Sequence, residues 1–123
     1  MKRDPLTEKV IGCAIEVHRE LGPGLLESTY QQCLAYELGQ KKILFQQEYP
    51  MPVKYRGVLL DCGYRIDIFV NNQLILELKA VEEIKGVHKS QLLTYMKLAG
   101  VETGLLINFN VRKLVDGILR FKL

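Results

Sequence analysis

Residues 63–80 contain two segments rich in branched apolar side chains, separated by the polar sequence Asn71-Asn72-Gln73. Branched residues favour strands and Asn favours tight turns, so this stretch predicts a β-hairpin. If the turn takes three residues, Asp67 lies directly opposite Glu77, and the two-residue alternation of strands puts both carboxylates and Lys79 on one face. The opposite face carries apolar residues that we expect in the core, namely Ile66, Ile68, Val70, Leu74, Leu76 and Leu78.

Opposed carboxylates on neighbouring strands repel one another and weaken a sheet by a few tenths of a kcal/mol up to about 1 kcal/mol. We therefore expect a positive charge between Asp67 and Glu77. Lys79 supplies one, but a divalent cation such as Mg2+ suits paired carboxylates better, because it usually takes one or two of them and keeps several waters. This arrangement predicts a hydrolytic metal site. A solvated Glu-x-Lys charge pair is the alternative, and the hairpin alone does not decide between the two.

The composition predicts a globular chain of one domain, residues 1–123, because 48% of the residues are hydrophobic and the length suffices for one core. No apolar run approaches the roughly 18 residues of a membrane span, and the N-terminus leads into an amphipathic pattern rather than the apolar block of a signal peptide. We therefore expect a soluble, cytoplasmic protein with no membrane partner. A net charge of +3 is compatible with a polyanionic partner but is too small to demonstrate one.

The cysteines do not indicate a metal or disulfide framework. Cys13, Cys33 and Cys62 are three in number and so cannot all pair, and the chain contains no Cys-x-x-Cys. We expect them to be small, partly buried apolar residues.

Three segments have helical periodicity. The first is capped by Asp4, has Pro5 at its first position and ends before Gly22. The second covers residues 25–39, and the third covers residues 87–99. The apolar residues expected on their buried faces are Leu6, Val10, Ala14, Val17 and Leu21 in the first helix, Leu26, Tyr30, Cys33, Leu34 and Leu38 in the second, and Leu92, Met96 and Ala99 in the third.

The remaining segments read as strands. Residues 43–49, 53–55 and 58–60 precede the hairpin, and the prolines at positions 50 and 52 favour an edge or a bend, because Pro cannot donate to a ladder. Residues 103–109 and 113–122 follow the third helix, the latter with a kink at Asp116-Gly117. This order of elements predicts an α/β (α+β) sandwich with a mixed central sheet flanked by helices.

Several polar residues on the helices are candidates for a site, and each also has a purely structural explanation. Glu27 lies in the first turn of the second helix, where the helix dipole favours a carboxylate, and it is also a candidate third acid for the metal site. His88, Gln91 and Tyr95 are spaced so that they can converge, although a solvated helix face explains them equally well. His18 lies beside the apolar stripe of the first helix, and we expect a packing or surface role for it.

Gly24, Glu27 and Tyr30 have the spacing of a Gly-x-x-Glu-x-x-Tyr signature. With this signature the sequence resembles the GxxExxY proteins, a bacterial and archaeal group placed in the PD-(D/E)XK nuclease superfamily. The resemblance extends over nearly the whole chain, through residues 17–24, 64–67, 77–79, 91–95 and 104–109. It implies a restriction-endonuclease-like PD-(D/E)XK core. The Pro that usually precedes the metal-binding Asp in this superfamily is replaced by Ile66.

The resemblance also implies roles for individual residues. Asp67 and Glu77 would be metal ligands, and Lys79 would be the lysine of the Glu-x-Lys element. Glu27 takes the place of the acid on the first core helix. Gln91 and Tyr95 look like the Gln-x-x-x-Tyr element of the exonuclease-like branch.

These roles predict a metal-dependent nuclease that hydrolyses phosphodiester bonds, with DNA favoured over RNA. Asp67, Glu77 and the backbone carbonyl of Leu78 would hold Mg2+ or Mn2+, with Glu27 contacting the ion directly or through water. The ion would polarise the phosphate and lower the pKa of a bound water, and Lys79 would orient that water. The residues expected to position backbone phosphates are Gln91, Tyr95, His88 and Arg65.

Two other hypotheses remain open. The chain could be a catalytically silent nuclease-fold module that binds nucleic acid or a protein partner, or the acids could form only a structural ion-pair network. We also expect that an apolar sheet edge within residues 43–55 could support a homodimer.

Overall fold

The computed structural model of the chain describes residues 4–123, which form three α-helices, seven β-strands and one 3-10 turn. The helices are α1 (Pro5–Leu21), α2 (Glu27–Gln40) and α3 (Gly86–Ala99). The strands are β1 (Phe45–Pro50), β2 (Val53–Tyr55), β3 (Val58–Leu60), β4 (Arg65–Val70), β5 (Leu74–Lys79), β6 (Thr103–Asn108) and β7 (Ile118–Lys122), and the 3-10 turn is Leu114–Gly117. All three predicted helices are confirmed, with small differences at their ends.

Five strands form one sheet in the order β1-β4-β5-β6-β7, and β2 and β3 form a separate two-stranded sheet. β5 and β6 are parallel, whereas the other neighbours in the large sheet are antiparallel. Parallel neighbours need a crossover connection, and α3 provides it. The predicted α/β (α+β) sandwich with a mixed central sheet flanked by helices is therefore confirmed.

Helices cover both faces of the sheet. On one face, α1 and α2 pack with buried residues such as Val10 and Leu34 against strand residues such as Leu76 and Leu105. On the other face, α3 packs with Leu92 and Met96 against strand residues that include Phe69 and Ile75. The acid-bearing face of the hairpin is thus also a core face, which the hairpin pattern alone did not predict.

The predicted three-residue turn of the hairpin is confirmed. Val70 pairs with Leu74, and the Gln73 amide donates to the Val70 carbonyl at 2.9 Å. Asn71 and Asn72 both have positive φ, 50° and 53°, a conformation that Asn tolerates better than most residues. The turn therefore sets the register that brings the two acids to the same level.

The predicted core is largely confirmed, with four corrections. Leu26 is 73% exposed because it precedes α2 as an extended cap residue, so helical spacing does not apply to it. Leu21, the last residue of α1, is 38% exposed. Ile66 is buried as predicted but packs with the α3 cluster rather than with Ile68. Cys62 is exposed rather than partly buried.

His18 has a packing role, as expected. It is 7% exposed, and its Nε2 lies 2.8 Å from the Val111 carbonyl oxygen. Its ring also lies near that of Phe109, with 6.4 Å between the ring centroids. This histidine ties α1 to the segment that follows β6.

β1 is an edge strand of the large sheet, as the nearby prolines predicted. The β2–β3 pair exposes its apolar residues, because β3 is exposed along its whole length and the Tyr55 side chain of β2 is 58% exposed. Among residues 4–123, no helix has both the length and the apolar character needed to cross a membrane.

Candidate active site

The site is built where β4 and β5 separate. Their backbone ladder ends at the pair of Ile68 and Leu76, and the next residues in this register are Asp67 and Glu77. Glu77 Oε1 accepts a hydrogen bond from the Asp67 amide at 3.2 Å, and Asp67 Oδ2 accepts one from the Leu78 amide at 2.8 Å. The two carboxylates therefore accept hydrogen bonds from amides that would donate to backbone carbonyls in a continuous ladder. We call the place beside Asp67 and Glu77, where β4 and β5 separate, the fork.

Both carboxyl groups are held in an environment that disfavours their charge. Glu77 is 4% exposed, and burial, followed by the Asp67 carboxylate, raises its pKa to about 8. Burial is also the main cause that raises the pKa of Asp67 to about 6, opposed by the hydrogen bond from the Leu78 amide. Lys79 lowers both pKa values by Coulomb attraction, but burial and the neighbouring carboxylates outweigh it. The pair thus lacks positive charge.

Lys79 and the Leu78 carbonyl border the fork. The carbonyl oxygen of Lys79 accepts from the Phe109 amide at 2.9 Å and therefore points toward β6. Successive residues of a strand point to opposite sides, so the Leu78 carbonyl, like its amide, faces the fork. Within residues 4–123, the Lys79 ammonium forms no ion pair within 4.0 Å. Its charge is close enough to act on both acids without being bound to either.

Glu27 approaches the fork from the start of α2. Its Oε2 lies 3.4 Å from the amide nitrogen of Ala80, the residue after Lys79. Its negative charge also contributes to the raised pKa of Asp67. Within the described part of the chain, no three His, Cys, Asp or Glu side chains converge closely enough to hold a metal ion between them. Glu27 is therefore a neighbour of the acid pair and not part of a tight cluster of three acids.

The donor set fits a hard divalent cation. Mg2+ usually takes one or two carboxylates and keeps several waters, and the fork offers two carboxylates and one carbonyl oxygen. A cation there would also offset the cost of burying the two carboxylates and the repulsion from neighbouring acids, which together raise both pKa values. Glu27 would contact such an ion through a water molecule, because it does not form a tight cluster with Asp67 and Glu77.

Glu48 is a neighbouring acid that the sequence reasoning missed. Gln47 pairs with Ile68 and Tyr49 with Ile66, so Glu48 lies opposite Asp67 on the other side of β4. Its φ of 51° marks a local irregularity of the edge strand, and its Oε2 accepts from Gln31 Nε2 at 3.0 Å. Glu48 raises the pKa of both acids in the fork. No tight turn links β1 to β4, so no sequence signal could have supplied this register.

Gln91 and Tyr95 do meet on α3. Gln91 Nε2 donates to Tyr95 Oη at 3.2 Å. Burial, followed by the Glu77 carboxylate, raises the pKa of Tyr95 to about 12, which keeps its hydroxyl protonated and indicates that the acid pair is close. His88 lies one turn earlier, and its Nδ1 accepts from the Lys85 amide at 3.0 Å, so this ring also helps to cap the helix.

The Arg65 side chain forms hydrogen bonds with residues just before it in the chain. Its Nη1 donates to Asp61 Oδ1 at 3.1 Å and to the Tyr64 carbonyl at 2.8 Å. Asp61 also accepts from the Gly63 amide at 2.9 Å. The guanidinium therefore braces the turn that leads into β4.

Asn108 is a second residue that the sequence reasoning did not single out. It is 3% exposed at the end of β6, where its Cα is paired with that of Lys79. Its Nδ2 donates to the Val81 carbonyl at 2.8 Å, and its Oδ1 accepts from the amides of Val81 and Asn110, both at 3.1 Å. Its place in the predicted strand 103–109 gave no hint of this role, because the contact depends on the parallel pairing of β5 and β6.

Two of the cavities in this region flank residues of the site. One, of about 390 Å³, is lined by Gln91, Tyr95 and His88, and another, of about 380 Å³, is lined by Glu27 and Ala80. A larger cavity, about 750 Å³, lies between α1 and β7, and none of the predicted site residues line it. Because the buried acids and the Glu-x-Lys element are absent from it, size alone does not make it the functional site.

The chain matches a protein-family model. The family model described as PD-(D/E)XK nuclease superfamily matches residues 4–121. No curated protein and no solved structure matches the chain. The match covers nearly the whole sequence, including both strands of the fork and all three helices. The chain therefore belongs to the PD-(D/E)XK nuclease superfamily.

Proposed function

We propose that this protein is a metal-dependent nuclease that hydrolyses phosphodiester bonds of DNA at the fork between β4 and β5. Membership of the superfamily indicates nuclease activity, and hence a nucleic acid as substrate. The observation that carries the proposal is the pair of Asp67 and Glu77, whose pKa values are raised by burial and, to a smaller extent, by neighbouring carboxylates. DNA as the preferred substrate is part of the proposal.

Asp67, Glu77 and the carbonyl of Leu78 would hold Mg2+ or Mn2+, and Glu27 would reach the ion through water. Nucleases of this superfamily generally use divalent metal ions. Such an ion, when bound, polarises the phosphate and lowers the pKa of a water molecule. The carboxylates position the ion, and burial keeps competing water away from them.

Lys79 would act on the nucleophile and on the developing charge. Its ammonium is a hydrogen-bond donor next to the fork, without an ion pair of its own within residues 4–123. A cation in this place can orient the attacking water and stabilise the additional negative charge of the transition state. The proposed catalytic residues are therefore Lys79, Glu77, Asp67 and Glu27.

Gln91 and Tyr95 would position the substrate. The Gln91 side-chain amide uses one N–H to donate to Tyr95, so its second N–H and its carbonyl oxygen can bind a substrate. The Tyr95 hydroxyl lies near Glu77 and stays protonated. Hydrogen-bond donors in this place suit phosphate oxygens. His88 would add a third polar contact from the same helix. Arg65 would contribute mainly by bracing Tyr64, since its guanidinium already binds Asp61.

The assignment to the GxxExxY group within the superfamily is also proposed, on the signature of Gly24, Glu27 and Tyr30. A homodimer through the sheet edge within residues 43–55 is also part of the proposal, where β1 is an edge strand and the Tyr55 side chain is 58% exposed. The cytoplasmic location rests on the sequence and stays a prediction.

A silent module that binds nucleic acid or a protein is the second candidate. One observation favours it: both acids accept backbone hydrogen bonds, so they have a structural reason to be present without catalysis. Binding of nucleic acid without cleavage in any divalent metal would support this candidate.

The test of the proposed function is a cleavage assay on labelled single-stranded DNA, duplex DNA and RNA, with Mg2+, Mn2+ or EDTA. We expect cleavage that requires metal and is lost in Lys79→Ala and Glu77→Ala. Lys113→Ala, which removes an exposed lysine ahead of the 3-10 turn, is the matched control and should cut like wild type. Cutting that is equal in wild type and in Lys79→Ala would instead point to a contaminating nuclease and contradict the proposal.

A further inference from the structure

The cavity between α3 and the segment before β4 has the size of a small-ligand site. Its volume is about 390 Å³, within the usual range for such sites. We call it the Tyr64 cavity. It is lined by two aromatic rings, Tyr64 and Tyr95, and by polar and apolar residues of α3, including His88, Gln91, Thr94 and Leu98.

The two aromatic rings give the cavity a surface suited to flat ligands. The ring centroids of Tyr64 and Tyr95 are 6.2 Å apart, and the planes are inclined by 71°. Tyr95 is 3% exposed and forms the inner wall, whereas Tyr64 is 45% exposed. A half-exposed aromatic ring beside a cavity can stack on the face of a nucleobase, which is available for every base type.

The polar groups of the cavity can bind the edges of a base. His88 Nδ1 accepts from the Lys85 amide, so the proton of the neutral ring is on Nε2, which can donate to a ligand. The Gln91 amide, after its bond to Tyr95, keeps one N–H and one carbonyl oxygen. Donors and acceptors side by side are what the Watson–Crick edge of an unpaired base requires.

Tyr64 is held in place before any ligand arrives. Its carbonyl accepts from the Met51 amide at 2.9 Å and from Arg65 Nη1 at 2.8 Å. The preceding Gly63 has φ of 85°, and its amide is bound by Asp61. A side chain on a fixed backbone loses less entropy when it binds, so this turn favours affinity.

The cavity adjoins the acid pair. Tyr95 lines the cavity and lies close enough to Glu77 for the carboxylate to affect its hydroxyl. Tyr95 and Ile66, which directly precedes Asp67, also belong to the same packed cluster. A nucleotide whose phosphate reaches the fork can therefore place a base toward the cavity.

From this arrangement we propose that the Tyr64 cavity binds one unpaired nucleobase next to the bond that is cut. The substrate is then single-stranded nucleic acid, or a duplex with an unpaired base, because a base within an intact duplex is stacked and cannot enter. This inference rests on the proposed nuclease function and adds the class of substrate to it.

The test is a binding measurement in EDTA, so that the substrate stays intact. Fluorescence anisotropy compares a short labelled single-stranded DNA, its duplex, and a strand with the same phosphates but with abasic sites in place of bases. We expect wild type to bind the single strand more tightly than either of the others. Tyr64→Ala should weaken binding of the single strand roughly 5- to 100-fold and leave binding of the abasic strand unchanged.

Three further variants make the result specific. Tyr64→Phe keeps the ring and should bind like wild type. Thr94→Trp fills the cavity from an exposed position on α3 and should weaken binding as Tyr64→Ala does. Tyr36→Ala removes an exposed tyrosine of α2 outside the cavity and should have no effect. Circular dichroism confirms that each variant is folded.

The outcomes separate this inference from the proposed function. Equal binding of the normal and the abasic strand, or wild-type binding by both Tyr64→Ala and Thr94→Trp, would overturn the base cavity. If cleavage in Mn2+ is nevertheless observed, the nuclease proposal stands without it. Base-dependent binding without cleavage in any divalent metal would support the cavity and overturn the nuclease.

Discussion

The Asn108 side chain binds both polar groups of the Val81 backbone: it donates to the carbonyl at 2.8 Å and accepts from the amide at 3.1 Å. The two residues are separated by α3 in the chain and are brought together by the parallel pairing of β5 with β6. Val81 follows Lys79 by two residues, and Ala80 between them contacts Glu27. The buried amide thus fixes the backbone next to the proposed catalytic lysine.

We expect Asn108→Ala to destabilise the protein by about 2–4 kcal/mol, because it leaves three partly buried backbone groups, two of Val81 and one of Asn110, without their partner. Cleavage should fall as well, since the backbone after Lys79 is released. Urea denaturation and the cleavage assay measure the two effects. Asn108→Asp keeps the acceptor but loses the donor and should be intermediate. Asn110→Ala, two residues further on, is the control, because Asn108 binds the Asn110 backbone and not its side chain. An Asn108→Ala variant as stable as wild type would contradict this role.

The stability of the metal-free protein should decrease as the pH rises from about 4.5 to about 8. Burial raises the pKa of Glu77 from its ordinary value near 4.5 to about 8 in the folded chain. Between these values the folded state binds more protons than the unfolded state, so raising the pH favours unfolding.

Glu77→Gln tests the origin of this pH dependence. The glutamine side chain can still accept a hydrogen bond from the Asp67 backbone amide, but it does not ionise. The free energy of unfolding should therefore depend less on pH above about 4.5. Melting temperatures at several pH values in EDTA make the measurement. Glu20→Gln, at an exposed position of α1, should keep the wild-type profile. The same slope in Glu77→Gln and wild type would show that this carboxyl is not responsible.

Divalent metal should stabilise the protein through the acid pair. Ligand at a hundred times its dissociation constant stabilises the folded state by about 2.7 kcal/mol. We expect Mg2+ or Mn2+ to raise the melting temperature of wild type, and Asp67→Asn to abolish this rise. Glu27→Gln should reduce the rise only partly. The Glu27 carboxylate accepts from the Ala80 amide and does not form a tight cluster with Asp67 and Glu77. Adding NaCl at matched ionic strength controls for screening, and a metal effect that survives in Asp67→Asn would place the ion elsewhere.

Gly104 lies under α3, and this position should not tolerate a side chain. A Cβ there would lie 2.7 Å from Met96 Sδ and 2.9 Å from Leu92 Cδ1. We expect Gly104→Ala to destabilise the protein by about 1–3 kcal/mol, because the core must shift to make room. Gly12→Ala, at an exposed site in the interior of α1 with open space around it, should instead stabilise by about 1 kcal/mol. Urea denaturation of both variants gives the comparison, and equal stability of the two would contradict the packing described here.

Much of the fold follows from local sequence signals. Asn71 and Asn72 fix the hairpin turn, so the register of Asp67 and Glu77 could be predicted from the chain alone. Asp4 and Pro5 mark the start of α1 in the same way, and the Asp4 side chain accepts from the Leu6 amide. These features depend on residues close together in sequence.

The features that could not be predicted depend on pairing between distant segments. Glu48 reaches the level of Asp67 only through the pairing of β1 with β4, and Asn108 reaches Val81 only through that of β5 with β6. The fork itself was also unforeseen, because periodicity predicts continuous strands and not the point at which a ladder ends. Tyr64 gained its importance from a cavity that no linear pattern shows.

The hydrogen bonds that the two acids accept also affect how such a chain can change in evolution. Replacing either acid with a residue that cannot accept a hydrogen bond would leave a backbone amide of the sheet without its acceptor, so stability alone would favour an acceptor side chain at both positions after catalysis is lost. Lys79 has no such structural bond among residues 4–123. In an inactive descendant of this chain, the lysine should therefore be lost before the acids, and its presence is the better mark of a relative that still cuts nucleic acid.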